Sequence, residues 1–138
     1  MRKKGGQSME KDRISKDWKY TKEVIFERLD RKMKDEQLYL DYRLTLPVFS
    51  KMTGTNRTYA SRVICEKYKG FREYLNSLRI EKLLSDIQEE RCAGLELKDP
   101  DEFANSYGFR TRRSLDRILV KETGCTYRKI LRRRNRSK

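Results

Sequence analysis

Apolar residues recur at helical spacing along most of the chain, and turn residues cut that pattern into about seven helical stretches. Trp18, Val24, Ile25, Leu29, Met33 and Leu38 line one face of a first stretch from Trp18 to Leu40, which Asp41-Tyr42-Arg43 interrupts. Leu46 to Met52 is a short second helix, and Pro47 suits its first turn because the N–H it lacks would have no intrahelical partner there. Gly54 supplies the positive φ of a sharp helix stop. Thr55 or Asn56 then caps a third helix that reaches about Tyr68, and Lys69-Gly70 ends it. The fourth, Phe71 to Arg91, turns Tyr74, Leu75, Leu78, Leu83, Leu84 and Ile87 toward a core, and Gly94 to Lys98 reads as a loop. Asp99-Pro100-Asp101 opens a short fifth helix carrying Phe103 and Ala104 that Gly108 stops. Arg110-Thr111 opens the sixth, with Leu115, Ile118 and Leu119 on one face and Gly124 at its end. Thr126 caps a seventh from Tyr127 to about Arg134.

The two halves repeat each other at an offset of 54 or 55 positions. Phe49, Ser50 and Gly54 fall on Phe103, Ala104 and Gly108. After one inserted residue Arg62, Val63 and Ile64 fall on Arg117, Ile118 and Leu119. At that same later offset Phe71, Tyr74 and Leu75 fall on Thr126, Lys129 and Ile130. Each half reads as short helix, glycine turn, second helix, glycine stop, further helix, which is the helix-turn-helix layout used twice. The expected architecture is all-α: two helix-turn-helix subdomains joined by a long central helix. Residues 1–17 form a flexible basic arm, 18–70 the first subdomain, 71–93 the connecting helix, 94–134 the second subdomain and 135–138 a basic tail. Twenty-odd helical residues span roughly 30 Å, close to the ~34 Å of one turn of B-DNA. Such a connector suits two reading helices in neighbouring turns of the major groove.

Charge narrows the partner. The formal net charge is +14 and 41% of residues are charged, a self-repulsion that an anionic partner relieves. Nucleic acid comes first, ahead of an anionic membrane surface or an acidic protein. With 36% apolar residues the chain fills a modest core and not a large catalytic cavity. Histidine is absent, which removes the usual zinc spacings and His-based acid–base chemistry. No catalytic role, metal or cofactor is expected. The three cysteines, Cys65, Cys92 and Cys125, form an odd set without close pairing and read as core or boundary residues in a reducing cytosol. No apolar run approaches the length of a membrane span, and no signal peptide follows the basic start. A cytoplasmic, nucleoid-associated protein is expected.

Residues 55–64, Thr-Asn-Arg-Thr-Tyr-Ala-Ser-Arg-Val-Ile, followed by 71–80, Phe-Arg-Glu-Tyr-Leu-Asn-Ser-Leu-Arg-Ile, resemble the first half of the DNA-binding domain of AraC/XylS-family transcription regulators. Tyr107-Gly108-Phe109-Arg110-Thr111-Arg112-Arg113-Ser114-Leu115, then Lys121 to Thr126, resembles that family's second-half signature. The similarity covers about Leu38 to Leu131. It implies sequence-specific binding of double-stranded DNA in transcription regulation. RNA polymerase is a possible partner, and the chain is either a stand-alone regulator or the output piece of a protein with a sensor domain.

The candidate residues follow from both arguments. On the third helix Ala60, Val63 and Ile64 face inward, leaving Arg57, Thr58, Ser61, Arg62 and Cys65 outward. The resemblance puts Thr58, Ser61 and Arg62 in the groove, and Arg62 suits the O6/N7 edge of guanine. It also turns Arg112, Arg113 and Arg117 of the sixth helix toward DNA. Asp116 among them either orients Arg112 or Arg113 through a helical pair, the favoured role, or accepts from cytosine N4. Arg57, Arg72, Arg110, Lys121, Thr126, Tyr127 and Arg128, with Phe71 and Tyr74, are candidates for positioning phosphates near helix starts. Arg79 reads as structural, paired with an acid, and the basic tail adds charge without sequence choice. Two alternatives stand beside this reading: a nonspecific nucleoid or RNA-binding protein, and a helical module that docks an acidic protein.

Overall fold

The computed structural model describes residues 21–92 and 98–136, and within them every regular element is helical. Helix α1 covers residues 21–35 and is followed by a 3-10 turn, Leu38–Leu40. Then come α2 (Leu46–Thr53), α3 (Arg57–Cys65), α4 (Phe71–Gln88), α5 (Pro100–Asn105), α6 (Arg112–Thr123) and α7 (Tyr127–Arg136). The expected arm over 1–17, residues 18–20 of the expected first helix, 94–97 of the expected loop and 137–138 of the expected tail (135–138) lie outside the described residues; residues 135 and 136, expected in that tail, continue α7.

Three helix boundaries differ from the expectation. Helix α1 stops at residue 35, because Gln37 takes the left-handed conformation (φ 50°) and its N–H turns back onto the Lys34 carbonyl at 3.2 Å. Its buried face is Phe26, Leu29 and Met33, while Val24 is 46% exposed. Helix α3 ends at Cys65, and Tyr68 in the following turn packs its ring 5.0 Å from that of Tyr74. Helix α4 ends at Gln88, since Glu90 adopts φ 60° and the Arg91 N–H closes onto the Asp86 carbonyl at 2.8 Å. Its 18 residues span about 27 Å, shorter than expected.

The repeat is realised hydrogen bond by hydrogen bond. After α2, Gly54 N–H bonds to Lys51 O and Thr55 N–H to Ser50 O; after α5, Gly108 N–H bonds to Asn105 O and Phe109 N–H to Ala104 O. Both are Schellman ends with the glycine at positive φ, 69° and 84°. The next helices are capped alike, Asn56 accepting from Thr58 N and Tyr59 N, and Thr111 from Ser114 N. The third helices correct the proposed register. Phe71 stacks on Phe49 at 5.7 Å and Tyr127 packs on Phe103 at 4.9 Å, so Phe71 matches Tyr127 and not Thr126. One more residue separates Leu119 from Tyr127 than separates Ile64 from Phe71.

Helix α4 serves both units. Tyr74, Leu75 and Leu78 join the first core, with Phe49, Ala60, Val63 and Ile64; Ile80, Leu83 and Ile87 join the second, with Phe103, Leu115 and Leu119. At about 100° per residue the two sets lie on nearly opposite sides of the helix. Buried Arg79 lies between them. Its Nε donates to Tyr39 O at 2.5 Å and an Nη to Asp41 O at 3.0 Å, while its guanidinium stands 5.8 Å from the Phe109 ring centroid. The partner expected for Arg79 was a carboxylate; the structure supplies two backbone carbonyls of the first unit instead. Each core also carries a tyrosine bonded to an acid, Tyr74 to Asp30 and Tyr107 to Asp86, both at 2.7 Å. Burial, with those carboxylates adding to it, raises both phenol pKa values.

Ser50 is 3% exposed and its hydroxyl has no hydrogen-bond partner among the described residues, whereas the second unit has Ala104 at the matching place. Removing an unsatisfied buried hydroxyl removes a desolvation cost. Ser50→Ala is therefore expected to raise stability by about 1 kcal/mol, read as a higher urea midpoint at unchanged slope.

Candidate nucleic-acid interface

Helix α3 buries Ala60, Val63 and Ile64 and so turns Arg57, Thr58, Arg62 and Cys65 to solvent, with Ser61 half-buried. Arg62 borders a shallow notch with Lys22, Cys65 and Glu66, and Lys22 is ion-paired to Glu66. Helix α6 repeats the arrangement, with Leu115, Ile118 and Leu119 inward and Arg113 and Arg117 exposed. Arg62 and Arg117, matched in the repeat, both point out from the middle of the second helix of their unit.

Arg112 has a different occupation. Its guanidinium lies 4.9 Å from the Tyr127 ring centroid and 5.4 Å from that of Phe103, and its Nε is 3.4 Å from Asp116 Oδ2. Its backbone N–H donates to Asp101 Oδ1 at 2.9 Å. The side chain is only 25% exposed, so this arginine ties α6 to α5 and α7, and the Asp116 contact is the helical pair favoured from sequence. Arg112→Ala is expected to cost about 1–2 kcal/mol, from loss of the cation–ring contacts and a half-screened ion pair. A double-mutant cycle with Asp116→Ala in urea denaturation separates the two contributions.

The phosphate candidates divide. Arg57, Arg72, Arg110, Lys121, Thr126 and Arg128 are exposed, and the Thr126 hydroxyl accepts from Lys129 N at 3.3 Å, capping α7. Tyr127 is 3% exposed, Tyr74 is fully buried and Phe71 is half-buried in a ring stack. These three side chains belong to the cores, and a phosphate contact there falls to the backbone amides. Near the end of α7, Arg134 is paired to Glu90 at 2.5 Å. Cys92 and Cys125 are buried and Cys65 is exposed, and none of the three is in a disulfide among the described residues; Cys92 Sγ lies 3.3 Å from the Tyr107 hydroxyl.

One cleft was not foreseen from sequence. Arg72, Asn76 and Arg79 of α4 face Arg110, Ser114, Arg117 and Lys121 on and before α6 across a depression of about 300 Å³. It gathers residues of both units, far apart along the chain, that the repeat alone did not bring together. No helix among the described residues is long and apolar enough to cross a membrane. No family model matches the chain, and neither a curated protein nor a solved structure matches it.

Proposed function

We propose that the chain is a sequence-specific double-stranded DNA-binding protein of the AraC/XylS type. It acts in transcription regulation on the cytoplasmic nucleoid, without a catalytic step. The observation that carries this reading is the duplicated unit itself: two capped second helices, α3 and α6, each sealed by a buried apolar face and each presenting an outward arginine, Arg62 and Arg117. The net charge of +14 favours a polyanion. Thr58, Ser61 and Arg62 on α3 and Arg113 on α6 meet base edges. Arg57, Arg72, Arg110, Lys121 and Arg128 meet phosphates. Arg112 positions α6 and does not read a base.

A second reading, docking of a protein surface such as RNA polymerase, is favoured by Val48 and Met52, which are 49% and 44% exposed one turn apart on α2. Selection from a pool of random duplexes, at low and near-physiological salt, tests the first reading. It predicts an enriched bipartite motif with halves about one helical turn apart. Salt-sensitive retention with no enriched motif contradicts it and leaves a nonspecific binder.

A further inference from the structure

The cleft between α4 and α6 holds five cationic side chains, Arg72, Arg79, Arg110, Arg117 and Lys121, against one carboxylate, Glu73. Arg72, Arg110, Arg117 and Lys121 are exposed. None of these four is ion-paired to a carboxylate among the described residues. Asn76 and Ser114 add an amide and a hydroxyl to the lining. The surface is concave and walled by two packed helices, so it focuses positive potential better than the same charges on an open face.

Beneath it lies a buried charge with no ion pair among the described residues. Arg79 is 7% exposed, and its hydrogen bonds go to the carbonyls of Tyr39 and Asp41, which are dipoles and not anions. Burial pushes its guanidinium down to about 10, against the opposing pull of the Asp41 charge. An anion in the cleft adds counter-charge beyond the pull of Asp41, which makes no ion pair with Arg79.

We propose that this cleft seats a backbone phosphate of the duplex, between the stretches read by α3 and α6, and that Arg117 belongs to this phosphate site. The proposal rests on the DNA-binding reading above and names the part of the ligand that the junction of the two units holds. Its walls come from both units, so a phosphate there fixes the register of one against the other along the strand. The chemistry, a tetrahedral anion among guanidinium and ammonium groups, is shared by free phosphate, and the test separates the two sources.

Single neutral methylphosphonates are placed along the selected duplex, between and within its two half-sites, and the affinity of the full chain is measured by fluorescence anisotropy. The expected result is one or two adjacent positions between the half-sites where neutralisation weakens binding about tenfold. Arg117→Gln and Lys121→Gln are expected to abolish that penalty and to lower the slope of log K against log salt by about one each. If the duplex is bound specifically but no phosphate between the half-sites matters, or if the variants feel every substitution as the wild type does, the cleft is not the phosphate seat. If in addition millimolar inorganic phosphate raises the melting temperature of the wild type but not of Arg117→Gln, the cleft is a free-anion site and the backbone assignment is overturned. Failure of the wild type to select any motif removes the DNA reading itself, and this proposal with it.

Discussion

Gly108→Ala is expected to destabilise the fold by about 4–5 kcal/mol, a loss that few single substitutions reach. Gly108 closes α5 at φ 84°, a conformation that costs a residue with a Cβ roughly 1–2 kcal/mol. The larger part is steric. A Cβ there would collide with Arg79 Nε and the Tyr39 carbonyl oxygen, the two ends of the hydrogen bond that joins the units. Neither can yield cheaply, since one is backbone and the other is buried and bonded to it. The matched glycine of the first unit is the control. Gly54 has φ 69° with nothing within 4 Å of an added Cβ, so Gly54→Ala is expected to cost about 1 kcal/mol of conformational strain alone. Urea denaturation of both variants checks the contrast, and equal losses would show that the junction is slack. Against a total stability of roughly 5–15 kcal/mol, the loss at Gly108 removes between about a third and nearly all of it.

Affinity for the selected duplex is expected to fall about a thousandfold between 50 and 200 mM salt. Arg57, Arg72, Arg110, Arg117, Lys121 and Arg128 are the exposed cations assigned to the strand. Each neutralised phosphate contributes about −0.9 to the slope of log K against log salt, so these residues together give a slope near −5. Anisotropy titrations at four or five salt concentrations measure it directly. A slope near −1 would mean that these side chains do not meet the backbone, whatever the specificity. Arg62→Ala acts differently, because a base contact carries little of the salt dependence. It is expected to relax the preference at one position of the first half-site by about 1–3 kcal/mol while leaving the slope nearly unchanged.

The parts of this molecule that were legible in the sequence are those set by local chemistry. Glycine at a helix end, Asn56 and Thr111 as caps, and the inward triads Ala60-Val63-Ile64 and Leu115-Ile118-Leu119 all announce themselves within a few residues. They were enough to recover an all-helical chain of two similar units. The misplaced boundaries lie where Gln37 and Glu90 take a left-handed turn usually left to glycine or asparagine, so nothing marked an end. Tyr127 passed for a surface residue because one residue added between Leu119 and α7 shifted the register of the last helix. Only its packing on Phe103 reveals that it plays the part of Phe71. Arg79 was recognised as buried, but its partners are carbonyls some 40 residues upstream, which leave no trace in side-chain identity. The same holds for Arg112, whose aromatic bed is assembled from α5 and α7. The cleft between α4 and α6 depends on that long-range packing, so its cations were visible singly but not as a group.

On the proposed reading, one chain grips two neighbouring turns of the major groove with a fixed separation between its reading helices. Inserting about five base pairs, half a helical turn, between the two halves of the selected site tests it most directly. Affinity and stoichiometry are measured on the original and the lengthened duplex. One chain per original site is expected, with binding to the lengthened duplex no tighter than to a single half-site. Undiminished affinity on the lengthened duplex, or two chains on the original one, would contradict it.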